Sequence, residues 1–171
     1  MRIRKETPAD YDEVYAMVKR SFATASHSDG TEQDYLTEIR KKSTFIPALS
    51  LVAQIGQKIV GQIVLYQMKI QCKDKIHAQL VLSPLSVHPD YFGQGIGAAL
   101  IAEGCKRALA YGYRAVFLCG DPAYYARFGF VPTHRHRIYH VNDSEKNASW
   151  CMVKELEEGW LAGVTGMVEI E

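Results

Sequence analysis

No stretch of this chain approaches the roughly 18 unbroken apolar residues that a membrane-spanning helix requires, and the opening segment MRIRKETPADYDEV carries no apolar leader core. An excess of charge of one sign is missing too, since 20 Lys and Arg stand against 19 Asp and Glu for a formal charge of +1. With no global field to draw in nucleic acid or a membrane surface, any anion must be recognised locally, by a few side chains and backbone N–H groups. Cysteine is sparse. Cys72, Cys105, Cys119 and Cys151 lie far apart with no Cys-x-x-Cys pair, which argues against a zinc ribbon or a thioredoxin-type centre. A Gly-Lys-Ser/Thr ending is absent as well, so a Walker phosphate loop is excluded. Neither an internal repeat, a low-complexity tract nor a long linker interrupts the 171 residues. The expectation is one soluble, cytoplasmic domain over 1–171 with reduced, mostly buried thiols and no nucleic-acid or membrane partner.

What is present suits a packed core, with 47% hydrophobic residues. Arg2 to Lys5 reads as a short strand. Thr7, Pro8 and Asp10 then supply an N-cap, a first-turn proline and an acid three residues after the cap. The helix that follows repeats Val14, Met17, Val18 and Phe22 at the spacing of one buried stripe. A loop, SHSDG, leads to a more polar helix over Thr31–Lys42, either a lid or a plain surface helix. From Leu49 to Val87 three strands joined by turns at Gly56-Gln57-Lys58 and Lys73-Asp74-Lys75 are expected to run antiparallel. Pro84, inside the third, predicts an edge, a bulge or the end of pairing.

Three glycines in five residues, Gly93, Gly95 and Gly97, precede an amphipathic helix whose apolar face is Leu100, Ile101, Gly104, Cys105, Ala108 and Leu109. Three readings of that loop compete. It formally satisfies Gly-x-Gly-x-x-Gly/Ala with Asp121 downstream, a dinucleotide fingerprint, yet antiparallel hairpins stand where a Rossmann domain needs parallel units. It also fits a purely structural turn. The third possibility is an anion cradle at a helix N-terminus.

Beyond the helix, YRAVFLCG reads as a buried strand, DPAYYARFGF as a short helix ending at Gly129, and the remainder as β segments around NDSEKN. Taken together, LSPLSVHPDYFGQGIGAALI and AVFLCGDPAYYARFGF resemble the GNAT superfamily of N-acetyltransferases, and the tail WCMVKELEEGWLAGVTGMVEI resembles one small bacterial subgroup of it. The resemblance implies an α+β (mixed α/β) acyl-CoA N-acyltransferase fold, a mostly antiparallel, splayed central sheet flanked by helices. It implies acetyl-coenzyme A as co-substrate, no metal, a primary amine as acceptor, and a homodimer by family analogy. It places the pyrophosphate on the loop Phe92-Gly93-Gln94-Gly95-Ile96-Gly97-Ala98 and the pantetheine arm on Leu85, Ser86 and Val87, with the N–H near Val87 polarising the thioester carbonyl. Phe92 departs from the family, which has Gln or Arg there. Tyr125 matches the family tyrosine facing the leaving sulfur and is the candidate acid, with Tyr124 as alternative. Asp121, where many members have Asn, is a candidate cofactor contact.

His88, Ser86 and Glu32 are candidate bases, none preferred. In THRHRIYHVND, His134, His136 and His140 share one face if the segment is a strand. Zinc spacing is lacking, so a polar sheet face is expected there, with Arg135 and Arg137 available to an acidic group. A non-catalytic acyl-CoA sensor and an NAD-binding oxidoreductase are the alternatives from other classes.

Overall fold

The computed structural model describes residues 1–23 and 28–170, so residues 26–27 of the expected SHSDG loop lie outside the described residues. Two compact units are built from interleaved segments, Met1–Tyr66 with Ser83–Arg107 and Gln67–Leu82 with Ala108–Glu171.

The first unit opens with β1 (Arg2–Lys5) and a 3-10 turn over Pro8–Asp10 that feeds α1 (Tyr11–Phe22). At the predicted cap the Thr7 N–H and hydroxyl both donate to Asp10 Oδ2, at 2.7 and 2.8 Å, and the Asp10 N–H donates to the Thr7 backbone O at 2.9 Å. Arg4 forks onto the same carboxylate through two bonds of 2.7 Å. This guanidinium, with burial opposing it, holds the Asp10 carboxyl well below the usual carboxylate range. Val14, Met17 and Val18 form the buried stripe of α1, while Phe22 is only half-buried. The polar helix α2 (Glu32–Ile39) is shorter than its periodicity suggested and buries Gln33, Leu36 and Ile39. Tyr15 of α1 donates to Asp34 of α2 at 2.8 Å.

β2 (Ser50–Ile55) pairs antiparallel with β1 and with the start of β3 (Lys58–Gln71). The turns bounding these strands fall where the sequence placed them. In the same unit, α3 (Ile96–Ala110) packs closely on β3, because a Cβ at Gly104 would stand 2.9 Å from Leu65 Cδ1. Glu103 and Arg107 form an i,i+4 pair at 2.7 Å. Leu109, assigned to the apolar face, is instead exposed.

In the second unit β4 (Ile76–Val87, entering from residues 76–82) runs parallel to β5 (Ala115–Cys119) at Leu80↔Val116 and Val81↔Phe117. β5 also pairs antiparallel with β8 (Cys151–Glu155), which carries the two-residue β6 (Val131–Pro132) on its other side. β7 (Ile138–His140) runs parallel to β9 (Gly166–Val168), and β9 antiparallel to the end of β3. Phe117, Phe130, Met152 and Val153 fill the core of this unit. Among the described residues no helix is long and apolar enough to cross a membrane.

β4 continues as extended backbone through Pro84, while its parallel pairing with β5 lies at Leu80 and Val81, ahead of the proline. Three expectations are corrected. Thr133–His136 is a 3-10 turn closed by Arg137 at φ 57°, so only His140 of the three histidines lies on a strand, and the shared face does not exist. The four thiols are free, but Cys119 is exposed. Leu109 is the third, as noted.

Candidate active site

Just past the C-terminal end of β4, the His88 N–H donates to Val60 O at 2.9 Å. Successive N–H groups of an extended chain point to opposite sides. The N–H groups of Val87 and Leu85 are therefore aimed at the edge away from Val60, where an extended ligand can take them as another strand would. A 3-10 turn over Pro89–Tyr91 follows, capped by His88, whose Nδ1 accepts from the Asp90 N–H at 3.2 Å.

The glycine loop comes next. Gly93 at φ +74° and Gly95 at φ +76° occupy the left-handed region, where a side chain is strained, and a Cβ at either would meet nothing within 4 Å. The glycines serve backbone direction and free approach rather than packing. Phe92, Gly93, Gln94 and Gly95 are exposed, and Gln94 Nε2 reaches back to Asp90 O at 3.4 Å. Helical bonding starts with the Ala99 N–H on Gly95 O at 3.0 Å. The N–H groups of Ile96, Gly97 and Ala98 thus precede it, and the first turn of this 15-residue helix holds no acid. Donors, helix dipole and open space together suit this loop to an anion.

In the second unit, Asp121 caps α4 (Pro122–Tyr125), its Oδ1 accepting the Ala123 N–H at 2.9 Å. A 3-10 turn over Ala126–Phe128 completes the segment and stops at Gly129, φ 83°. The Tyr125 ring lies edge-on to Tyr124 at 4.9 Å and to Phe130 at 5.7 Å. Burial, then Tyr124 and Asp121, push its hydroxyl above the ordinary tyrosine range, so the phenol keeps its proton at neutral pH. Tyr124 is raised by burial as well, against the Arg127 guanidinium, which sits 4.7 Å from its ring centroid. One residue that sequence reading missed is Gly120: a Cβ there would stand 2.5 Å from Tyr125 Cε2. Its only signal in the sequence is the glycine immediately before the Asp-Pro cap.

The candidate bases differ in what they have left to offer. His88 is 3% exposed and its Nδ1 is already an acceptor. Ser86 is buried, its hydroxyl 3.5 Å from Gln62 Oε1. Glu32 Oε2 is buried and has no hydrogen-bond partner among the described residues, so it alone of the three accepts a proton without first giving up a bond. Among the described residues no group of three or more His, Cys, Asp or Glu is placed to share a metal ion.

The antiparallel β2–β3 hairpin ahead of the loop rules out the dinucleotide reading, which needs parallel βαβ units. Comparison with known proteins agrees. The family model described as acetyltransferase (GNAT) domain matches residues 2–133. An uncharacterized N-acetyltransferase of Escherichia coli (strain K12), YhbS, is 33% identical over 170 residues, covering 99% of this chain and 95% of that protein. The crystal structure of Escherichia coli YhbS in complex with CoA superposes with a TM-score of 0.86 at 29% identity, over 99% of this chain and 89% of that one. A GNAT family acetyltransferase from Brucella melitensis, solved with acetyl-CoA, gives a TM-score of 0.78 at 26% identity, over 99% and 95% of the two chains.

Proposed function

Because the chain belongs to the GNAT family of N-acetyltransferases, we propose that residues 1–171 work as one domain that moves acetyl from acetyl-coenzyme A to a primary amine by direct attack. The observation that carries this reading is the loop of Gly93 and Gly95, left-handed, exposed and unobstructed at the start of α3. The solved relatives that hold CoA and acetyl-CoA support the choice of donor. The backbone of Phe92, Gly93, Gln94, Gly95, Ile96, Gly97 and Ala98 takes the pyrophosphate, and Leu85, Ser86 and Val87 take the pantetheine arm, with Asp121 as a further contact.

The amine nitrogen attacks the thioester carbon, and the negative charge that develops on oxygen is met by the Val87 N–H. The tetrahedral species gives up a nitrogen-bound proton to solvent and then expels sulfur as a thiolate. Tyr125 donates to the departing thiolate. Its raised value sets the form of that help: a thiol is the stronger acid of the two, so Tyr125 stabilises the thiolate by a hydrogen bond while the net proton comes from solvent.

Calorimetry with coenzyme A, acetyl-coenzyme A and NAD, followed by thiol release over a panel of amines, tests the reading. Both coenzyme A species bind and NAD does not. Tyr125→Phe leaves binding unchanged and lowers kcat by about 10²-fold. Failure to bind coenzyme A sinks the function; normal turnover by Tyr125→Phe sinks the role of its hydroxyl.

A further inference from the structure

We propose that the groove between α1 and the β2–β3 turn is a second anion site, one that takes the carboxylate or phosphate of a small ligand. The groove encloses about 200 Å³, and the residues lining it, all in the first unit, do not include the glycine loop. Its polar members are Glu13, Arg20, Lys58 and His88, and Ala16, Met17 and Ile59 give it an apolar wall.

The argument rests on the hydrogens of His88. A neutral imidazole has one accepting nitrogen and one N–H. Its Nδ1 accepts the Asp90 N–H at 3.2 Å, a contact fixed by the Pro89–Tyr91 turn, so Nε2 carries the hydrogen. Yet Nε2 faces another donor, Arg20 Nη1 at 3.4 Å. Two N–H groups cannot satisfy one another. His88 is 3% exposed, and a buried N–H left without an acceptor is unfavourable. What completes the pair is an acceptor lying between them.

Lys58 reinforces the sign of that acceptor. It lines the groove, and its Nζ stands 5.3 Å over the Tyr91 ring, which itself lies edge-on to His88 at 5.7 Å. Against the two cations stand Glu13, whose Oε1 is tied to the Ile59 N–H at 2.7 Å, and, outside the lining, the exposed Asp90 carboxylate, 3.7 Å from His88 Nδ1. Within the lining the cations outnumber the single carboxylate, and the planar guanidinium of Arg20 suits an oxyanion best. Burial, Lys58 and Arg20 also press the His88 value below the ordinary one, in keeping with a neutral ring that donates from Nε2. The wall of Ala16, Met17 and Ile59 accommodates the organic remainder of the ligand.

Nitrogen NMR of the histidine side chains in the full chain, titrated at constant ionic strength with methyl phosphate in one arm and acetate in the other, tests this site. In the free protein His88 is the Nε2–H tautomer. Its Nε2 resonance moves saturably in at least one arm, and the arm that binds more tightly names the ligand class. The double variant Arg20→Gln, Lys58→Gln weakens that binding at least tenfold while keeping the tautomer and Tm. The response persists when coenzyme A is saturating. An Nδ1–H tautomer, no saturable shift in either arm, an unchanged affinity in the double variant, or full displacement by coenzyme A would each overturn the site.

Discussion

At the scale of single residues, Tyr125 and Gly120 show how a side chain and an absent one make a single feature. The ring occupies the space that a Cβ at Gly120 would need, 2.5 Å from its Cε2. Gly120 is fixed in turn by its N–H on Trp150 O at 2.9 Å. Gly120→Ala is expected to push the ring aside and lower kcat by about 10²-fold, since displacement of a reacting group by about 1 Å is enough for that. The KM for acetyl-coenzyme A stays near its original value. Steady-state kinetics on both variants decide it: a Gly120→Ala enzyme as active as the parent, with Tyr125→Phe impaired, would mean that the ring's position is not limiting. The glycine loop was legible because left-handed turns select glycine locally. Gly120 was not, because nothing in CGDPAYY says that the fifth residue on folds back over it.

Among elements, the tie between β1, α1 and α2 is the one most exposed to a single change. Glu6, at the end of β1, pairs with Arg40, just past α2, with side chains 1% and 6% exposed. Ser50 donates to the same carboxylate at 2.7 Å, and the Arg40 guanidinium lies 4.0 Å over the Tyr11 ring of α1. Glu6→Ala leaves a buried guanidinium without its partner, for which a loss of about 3–5 kcal/mol is expected. Urea denaturation reads this directly, and a loss below about 1 kcal/mol would show the pair to be energetically neutral. Periodicity found β2, β3, β4 and α3 because each has a long enough apolar pattern to report its own face. It failed over 133–137, where alternating His and Arg imitate a strand. There the chain instead tightens into a 3-10 turn and reverses at Arg137. Tyr11 and Arg40 carry no such pattern, and their contact is set by how the helices meet.

For the whole molecule, the dependence of stability on pH follows from three groups. His77 and His88 are lowered from the ordinary histidine value, chiefly by burial. The unfolded chain therefore binds protons first as pH falls below about 6.5, and stability is lost from there downward, by at most about 1.4 kcal/mol per pH unit for each histidine. Asp10, held low by Arg4, contributes above the unfolded carboxyl value near about 3.9 and loses that contribution as pH falls further. Both act in one direction, so unfolding free energy is expected to climb between about pH 4 and pH 7. A flat profile, measured in urea across that range, would contradict it. By itself the sequence determined the strands and helices of α1 through β5, the left-handed glycine loop and the family, because turn glycines, caps and apolar spacing act over a few neighbouring residues. Only the tertiary structure decided what Arg20 faces across 68 positions of chain, and which carboxylate Arg40 meets. Burial and charge pairing depend on distance in space, and spacing along the chain does not encode that distance.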